Sequence, residues 1–335
     1  MIIAPVPIVD GARQVTTAMK LPNFFIIGAP KAATTFLYAY LDRHPEVYMS
    51  PLKEPNYFAS EWRPENFTAT AGARDARDAH ELEAYLRGDM REKRIAAFVT
   101  AWEDYLKLFQ NASDEIAIGE ASTTYLWSAT AARKIASRLP HARIVINLRN
   151  PVDRAFSHYL MLLTAGMSKR TFRQQIETAL HAVQEQSVLD AALLEFGRYC
   201  EQIKRYQREF PSSQIHISFY EDLERSPAAL LENLLKFLGA DPAVKVDVPP
   251  RQHEPRIPKL NGAAHLLKKW RLWPYVRKAL PNPLGPRLRA LLMRSRASLV
   301  MNPADRAFLI EYYRDDVKNL SELLGRDLSS WLDCA

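Results

Sequence analysis

A short apolar run, Phe24-Phe25-Ile26-Ile27, ends in Gly28-Ala29-Pro30-Lys31-Ala32-Ala33, and Thr34 and Thr35 open the segment that follows. Strand, small-residue turn and helix N-terminus together make an anion site, because backbone N–H groups and the helix dipole both face the turn. A lysine there adds a point charge, and a hydroxyl in the first helical turn adds a donor. The spacing is not that of a nucleotide triphosphatase loop, which places glycine, four residues, then Gly-Lys-Ser/Thr. Counted from Gly28, Ala33 holds the second glycine position and Lys31 stands three residues early. Further on, Arg149 follows the apolar run 143–148, and Ser157 lies eight residues beyond it. An arginine fork and a hydroxyl at that separation can converge on one phosphate; the alternative is a salt-bridged arginine and a solvent-facing serine. Beside a lysine loop on a neighbouring strand, the pair points to a ligand carrying two separate phosphate groups.

The elements that must position these residues read as alternating strands and helices. Strands are expected over 24–27, 47–49, 116–120, 143–148 and 215–219, and helices over 34–42, 130–139, 152–163, 227–238 and 302–324, the last closing at Gly325. His44-Pro45 stops the first helix, and the two prolines of Pro51-Leu52-Lys53-Glu54-Pro55 mark a loop. The alternation predicts an α/β chain, a P-loop-like single domain with a central parallel sheet flanked by helices. Ligands of such sheets sit beyond the carboxyl ends of the strands, and Lys31, Glu54, Glu120 and Arg149 all follow strand ends. Residues 1–20 read as an extension before a domain spanning 21–335. Residues 60–111 form a polar insertion with helices at 80–86 and 98–109, placed to cover the site as an acceptor lid. Residues 251–300 hold a basic loop and helices, with Trp270, Trp273 and Tyr275 among the charges of 265–296.

Composition sets the outer bounds. In 335 residues, 47% hydrophobic and 25% charged, there is ample material for a core, and the formal net charge of +7 favours an anionic partner. Two cysteines, Cys200 and Cys334, imply no disulfide framework. The first twenty residues lack a signal-peptide pattern, and no run approaches the roughly 18 apolar residues of a membrane span. A cytoplasmic protein is expected. The eight histidines are scattered, with no zinc-type spacing, so no metal is expected.

The loop Pro30-Lys31-Ala32-Ala33-Thr34-Thr35 resembles the one with which sulfotransferases grip the 5′-phosphosulfate of 3′-phosphoadenosine-5′-phosphosulfate (PAPS). The segment Leu148-Arg149-Asn150-Pro151-Val152-Asp153-Arg154-Ala155-Phe156-Ser157-His158-Tyr159 resembles their 3′-phosphate segment. The likeness is greatest to heparan-sulfate-type glycan sulfotransferases and their bacterial relatives. It extends to Lys53-Glu54-Pro55-Asn56-Tyr57-Phe58, Gly119-Glu120-Ala121-Ser122-Thr123-Thr124-Tyr125, Gly197-Arg198-Tyr199, Phe219-Tyr220-Glu221-Asp222-Leu223 and Tyr312-Tyr313-Arg314. Each motif alone is weak; their order and spacing together are specific.

This resemblance implies a sulfotransferase fold and in-line transfer of a sulfuryl group from PAPS to an acceptor hydroxyl, releasing adenosine 3′,5′-bisphosphate without a metal. It implies cofactor contacts from Lys31, Ala32, Ala33, Thr34, Thr35, Arg149, Ser157 and Tyr199, with Arg256 and Lys259 closing over the phosphates. Lys31 would stabilise the bridging oxygen. Glu54 would be the base that takes the acceptor's proton, with Glu120 its rival or partner, and pairing of Glu54 with Lys53 the bland alternative. His158 and His44 read as helix-surface and helix-end residues. Where Ala33 replaces a common glycine, the loop is expected to avoid a left-handed backbone. The implied partners are PAPS and a carbohydrate or glycolipid, not nucleic acid, with 265–296 available to a membrane surface or acidic glycan. A hydroxylated natural product such as a polyketide or peptide is the alternative acceptor. A P-loop kinase fits less well, because the best strand ends in Arg149 rather than in a magnesium-binding aspartate. A basic nucleic-acid or membrane-surface binding protein rests on 265–296 alone.

Overall fold

The computed structural model describes residues 20–66, 76–95, 97–185, 187–247, 257–258, 293–294 and 299–333. Five parallel strands form the central sheet: β1 (Phe24–Gly28), β2 (Val47–Met49), β5 (Ala117–Ala121), β6 (Arg143–Leu148) and β7 (Ile215–Phe219), in the order β2-β5-β1-β6-β7. The chain leaves β1 towards β2 and β5, then crosses back to β6 and β7 on the other side. The crevice at the end of β1 is therefore the point where strand order reverses, the usual ligand position in such sheets. Two further strands, β3 (Leu52–Lys53) and β4 (Arg94–Ile95), pair in parallel. Sequence reading treats 51–55 as loop because the prolines dominate it; the short pairing instead pins Lys53 beside Glu54.

Strand alternation sorts the core onto two faces. Phe24, Ile26, Ala117, Ala121 and Val145 pack with α1 (Thr34–Leu41) and the leucines of α11 (Pro227–Leu238). Phe25, Ile27, Ile118, Ile144 and Ile146 join the larger cluster on the opposite face. This second layer includes α3 (Trp102–Lys107), α4 (Thr124–Trp127), α5 (Ala131–Arg138), α6 (Pro151–Thr164), α7 (Phe172–Gln184), α8 (Val188–Glu195), α9 (Tyr199–Glu209) and α12 (Pro303–Leu324). Two further helices among the described residues are α2 (Ala76–Arg87) and α10 (Tyr220–Arg225). Gly119 is required for close approach, since a Cβ there would stand 2.4 Å from the buried Phe24 ring.

Arg154, fully buried on α6, donates to the carbonyl of Leu193 at the end of α8, while Tyr313 and Gln202 donate to the next two carbonyls. Three side chains thus satisfy helix-end acceptors that would otherwise be orphaned, and the guanidinium sits at the negative end of the dipole. Two strands, β8 (Ile257–Pro258) and β9 (Met293–Arg294), pair in antiparallel fashion, and β8 lies beside α6. Arg256, Lys259 and most of the basic segment 265–296 lie outside the described residues. Among the described residues, no helix is long and apolar enough to cross a membrane.

Candidate active site

The loop after β1 is shaped by its neighbours. Asn147 of β6 accepts from Ala29 N–H through its carbonyl (2.8 Å) and donates its side-chain amide to the carbonyl of Ala32 (2.6 Å). Arg149 Nη1 donates to the carbonyl of Lys31 (3.1 Å). Both Lys31 (φ 70°) and Ala33 (φ 59°) adopt left-handed backbone. That corrects the expectation for Ala33, which enters the conformation despite its Cβ, a cost of about 1–2 kcal/mol. The interlock with β6 holds it there. Ala33 is the N-cap of α1 and no side chain caps the helix, so its first N–H groups point into the crevice with nothing competing from a cap. Ala32 is fully buried and can offer only backbone; Thr34 is nearly so, and Thr35 is partly exposed.

On the β6 side, Asn150 caps α6 through its side-chain oxygen, accepting from Val152 N–H (2.9 Å), which fixes where Arg149 leaves the strand. The Arg149 guanidinium lies over the Tyr220 ring at 4.2 Å. Ser157 is buried on α6. Tyr199 is fully buried and donates its hydroxyl to the carbonyl of Arg149 (2.9 Å). Expected among the cofactor contacts, Tyr199 here supports the arginine's backbone, and burial pushes its phenol well up. His158 is buried beside Phe196, not on the helix surface, and its Nδ1 has no hydrogen-bond partner among the described residues. Desolvation, with the Arg154 and Lys31 charges nearby, holds the imidazole neutral. His44 is buried at the end of α1, its ring bonded to backbone groups of Asp241 and Glu46.

Glu54 lies across the crevice, at the end of β5. Its N–H donates to the carbonyl of Ala121 (2.8 Å) and its backbone is left-handed (φ 62°), as is that of Asn56 (φ 54°). One carboxylate oxygen accepts from Lys53 Nζ at 2.7 Å; the other accepts from Thr123 N–H at 2.8 Å. The Lys53 side chain is 4% exposed and that of Glu54 15%. Pairing with Lys53 is thus present, but as a nearly buried contact that orients the acid; Thr123 Oγ1 also lies 3.2 Å from both oxygens, so one of the two keeps a lone pair for a further donor. Glu120, by contrast, is fully buried below the crevice. It accepts from Tyr125 Oη (2.8 Å), Tyr105 Oη (3.2 Å) and Ser122 Oγ (2.7 Å). Burial pushes its carboxyl up to about 7. Enclosed by three hydroxyls, it cannot meet an acceptor's proton, which corrects its reading as a rival base.

The structure therefore links Arg149 to the turn 31–35 through a hydrogen bond, with Ser157 on the helix after β6 and Glu54 at the end of β5. Sequence reasoning missed Asn147 and Thr123, and named Lys53 only as the bland partner of Glu54. The one available signal for Asn147 is its polarity inside the apolar run 143–148. Among the described residues, no group of three or more His, Cys, Asp or Glu side chains is placed to hold a metal.

An anion loop at the switch point of a parallel sheet, with a second cationic arm one strand away, defines an α/β enzyme that handles an anionic ligand. Residues 22–243 match the Sulfotransferase family, and the chain belongs to that family of sulfuryl-transferring enzymes. The bifunctional heparan sulfate N-deacetylase/N-sulfotransferase 1 of Xenopus tropicalis is 28% identical over 324 residues, covering 94% of this chain and 31% of that protein. Human carbohydrate sulfotransferase 15 is 27% identical over 255 residues, covering 66% of this chain and 44% of that protein. The chain spans about a third to under half the length of these relatives. The crystal structure of a sulfotransferase from Alicyclobacillus acidocaldarius superposes with a TM-score of 0.68 at 26% identity, covering 94% of this chain and all of that one.

Proposed function

We propose that this enzyme transfers a sulfuryl group from PAPS to a hydroxyl of a carbohydrate or glycolipid. The observation that carries the reading is the direct link between the two cationic arms: Arg149 holds the carbonyl of Lys31, so one small nucleotide can meet both. Two phosphate sites that close together suit an adenosine phosphorylated at both ends. The glycan acceptor rests on the heparan and carbohydrate enzymes among the relatives.

In this reading Lys31 and the first N–H groups of α1 hold the 5′-phosphosulfate, with Thr34 and Thr35 adding hydroxyls. Arg149 and Ser157 hold the 3′-phosphate. PAPS, when bound, supplies the activated sulfuryl group. Glu54 takes the acceptor's proton as the new O–S bond forms. Lys31 meets the negative charge left on the phosphate oxygen as the old S–O bond breaks. Lys53 and Thr123 keep Glu54 aimed while it waits.

Calorimetric titration tests the assignment. Wild-type enzyme should bind adenosine 3′,5′-bisphosphate at least tenfold more tightly than ATP. Arg149→Ala should lose more affinity for the bisphosphate than for adenosine 5′-phosphate, and Lys31→Ala should weaken both to a similar degree. Glu54→Gln should lower turnover by about 10²–10⁴-fold with nucleotide binding intact. Equal binding of ATP and the bisphosphate, or full activity of Lys31→Ala, would overturn the proposal.

A further inference from the structure

We propose that Glu120 is a positioning residue, whose carboxylate sets the loop carrying Glu54 by orienting two hydroxyl groups that in turn hold two backbone N–H groups of that loop. The inference rests on the reading of Glu54 as the base. Ser122 Oγ donates to Glu120 Oε2 (2.7 Å) and accepts from Asn56 N–H (3.2 Å). Tyr125 Oη donates to Glu120 Oε1 (2.8 Å) and accepts from Phe58 N–H (3.3 Å). An ionised carboxylate is acceptor-only, so both hydroxyl hydrogens must turn towards it, which leaves their lone pairs facing the loop. The direction of four hydrogen bonds is thereby set by one charge.

The loop needs such a hold. Glu54 and Asn56 are both left-handed and neither is glycine, so the segment relaxes unless its surroundings over-determine it. Asn56 adds to the hold. It donates its amide to the carbonyls of Glu54 (2.8 Å) and Ala97 (3.1 Å), and it accepts from Thr124 Oγ1 (2.7 Å). Ser122, Thr123, Thr124 and Tyr125 thus meet the loop in succession, Thr123 on the Glu54 carboxylate itself. Glu120 is the common acceptor behind the outer two.

The groups facing Glu120 favour neither a bare charge nor a proton-free cluster. Tyr105 of α3, Tyr125 of α4 and Ser122 supply hydroxyls; Tyr206 of α9 donates to the carbonyl of Tyr125 (2.9 Å); and Glu54 repels it. All of the side chains bonded to it are hydroxyls. Adding a proton makes one carboxyl oxygen a donor, which competes with a loop N–H for a hydroxyl lone pair. Protonation near neutral pH therefore loosens the loop.

Amide hydrogen exchange at Asn56 and Phe58, with calorimetric binding of adenosine 3′,5′-bisphosphate and steady-state turnover, tests the relay. Ser122→Ala should lower protection at Asn56 about tenfold, Tyr125→Phe should do so at Phe58, and Glu120→Gln at both. Nucleotide affinity should stay within about twofold. Turnover at saturating substrate should fall about tenfold in Glu120→Gln, and the acid limb near pH 7 expected of wild type should be absent from the variant. Wild-type protection and an unchanged pH profile in Glu120→Gln would overturn the proposal. Should Glu120→Gln fail to fold, the two hydroxyl variants decide by whether each unprotects its own amide. If Glu54→Gln keeps full turnover while these amides loosen as expected, the base assignment fails and the positioning relay stands.

Discussion

A buried acid with no cation beside it should make the protein less stable as it ionises, and Glu120 allows the size of that effect to be worked out. Its ordinary value of 4.5 is raised to about 7 in the folded chain, with burial as the leading cause and its hydroxyl partners opposing. Between those values the folded state holds a proton that the unfolded state has released. Stability must therefore fall as pH rises through this window. At about 1.4 kcal/mol per pH unit the difference comes to roughly 3 kcal/mol, fully present as stability below pH 4.5 and lost above about pH 7. Glu120→Gln has no such titration. Urea unfolding of wild type and variant at pH 5, 6, 7 and 8 should show the variant gaining roughly 2–3 kcal/mol on wild type across the series. A difference between the two that does not change with pH would refute the reasoning. Ionised Glu120 thus weakens the fold while directing the loop above it, and the two effects are read by different assays.

Other changes probe the frame around the crevice. Gly119→Ala drives a Cβ into the buried Phe24 ring and should cost about 1–3 kcal/mol or more in denaturant unfolding. Ala33→Gly removes the left-handed penalty at the cap of α1 but adds chain entropy; the unfolding midpoint should hold or rise, equivalent to at most about 1 kcal/mol, with bisphosphate affinity unchanged. Asp222 accepts from both terminal nitrogens of Arg326 (2.7 and 2.9 Å), whose guanidinium also lies 3.8 Å over the Phe219 ring. That pairing holds Asp222 below its ordinary 3.8. Asp222→Asn should therefore lose about 1 kcal/mol at neutral pH, and the gap to wild type should close as pH falls below 3.8 in acid unfolding.

The parts of the fold legible in the sequence are those with strong local signals. The runs 24–27 and 143–148 are apolar throughout because both faces of a parallel strand are buried. The last helix declares itself by its periodicity and by Gly325, which closes it in left-handed backbone. The turn at 30–35 and the arginine at 149 were legible because each follows directly on a strongly apolar run. Long-range effects were not. Nothing local tells that Asn147 reaches Ala32, that Tyr199 turns inward to Arg149, or that Glu120 faces hydroxyls rather than the crevice. The left-handed backbone at Ala33 was misread because local preference favours glycine there, whereas the neighbouring strand decides. Helices over 172–184, 188–195 and 199–209 gave no reading, and the pairing of β3 with β4 was hidden by flanking prolines.

The hydrogen bonds that shape the Lys31 turn come from residues 115 and 118 positions further along the chain. A ribosome-bound chain that has not yet released Asn147 and Arg149 therefore has the lysine motif but no pocket. Anion binding at the turn should begin only after that downstream strand has emerged and docked, which stalled nascent chains of graded length would report.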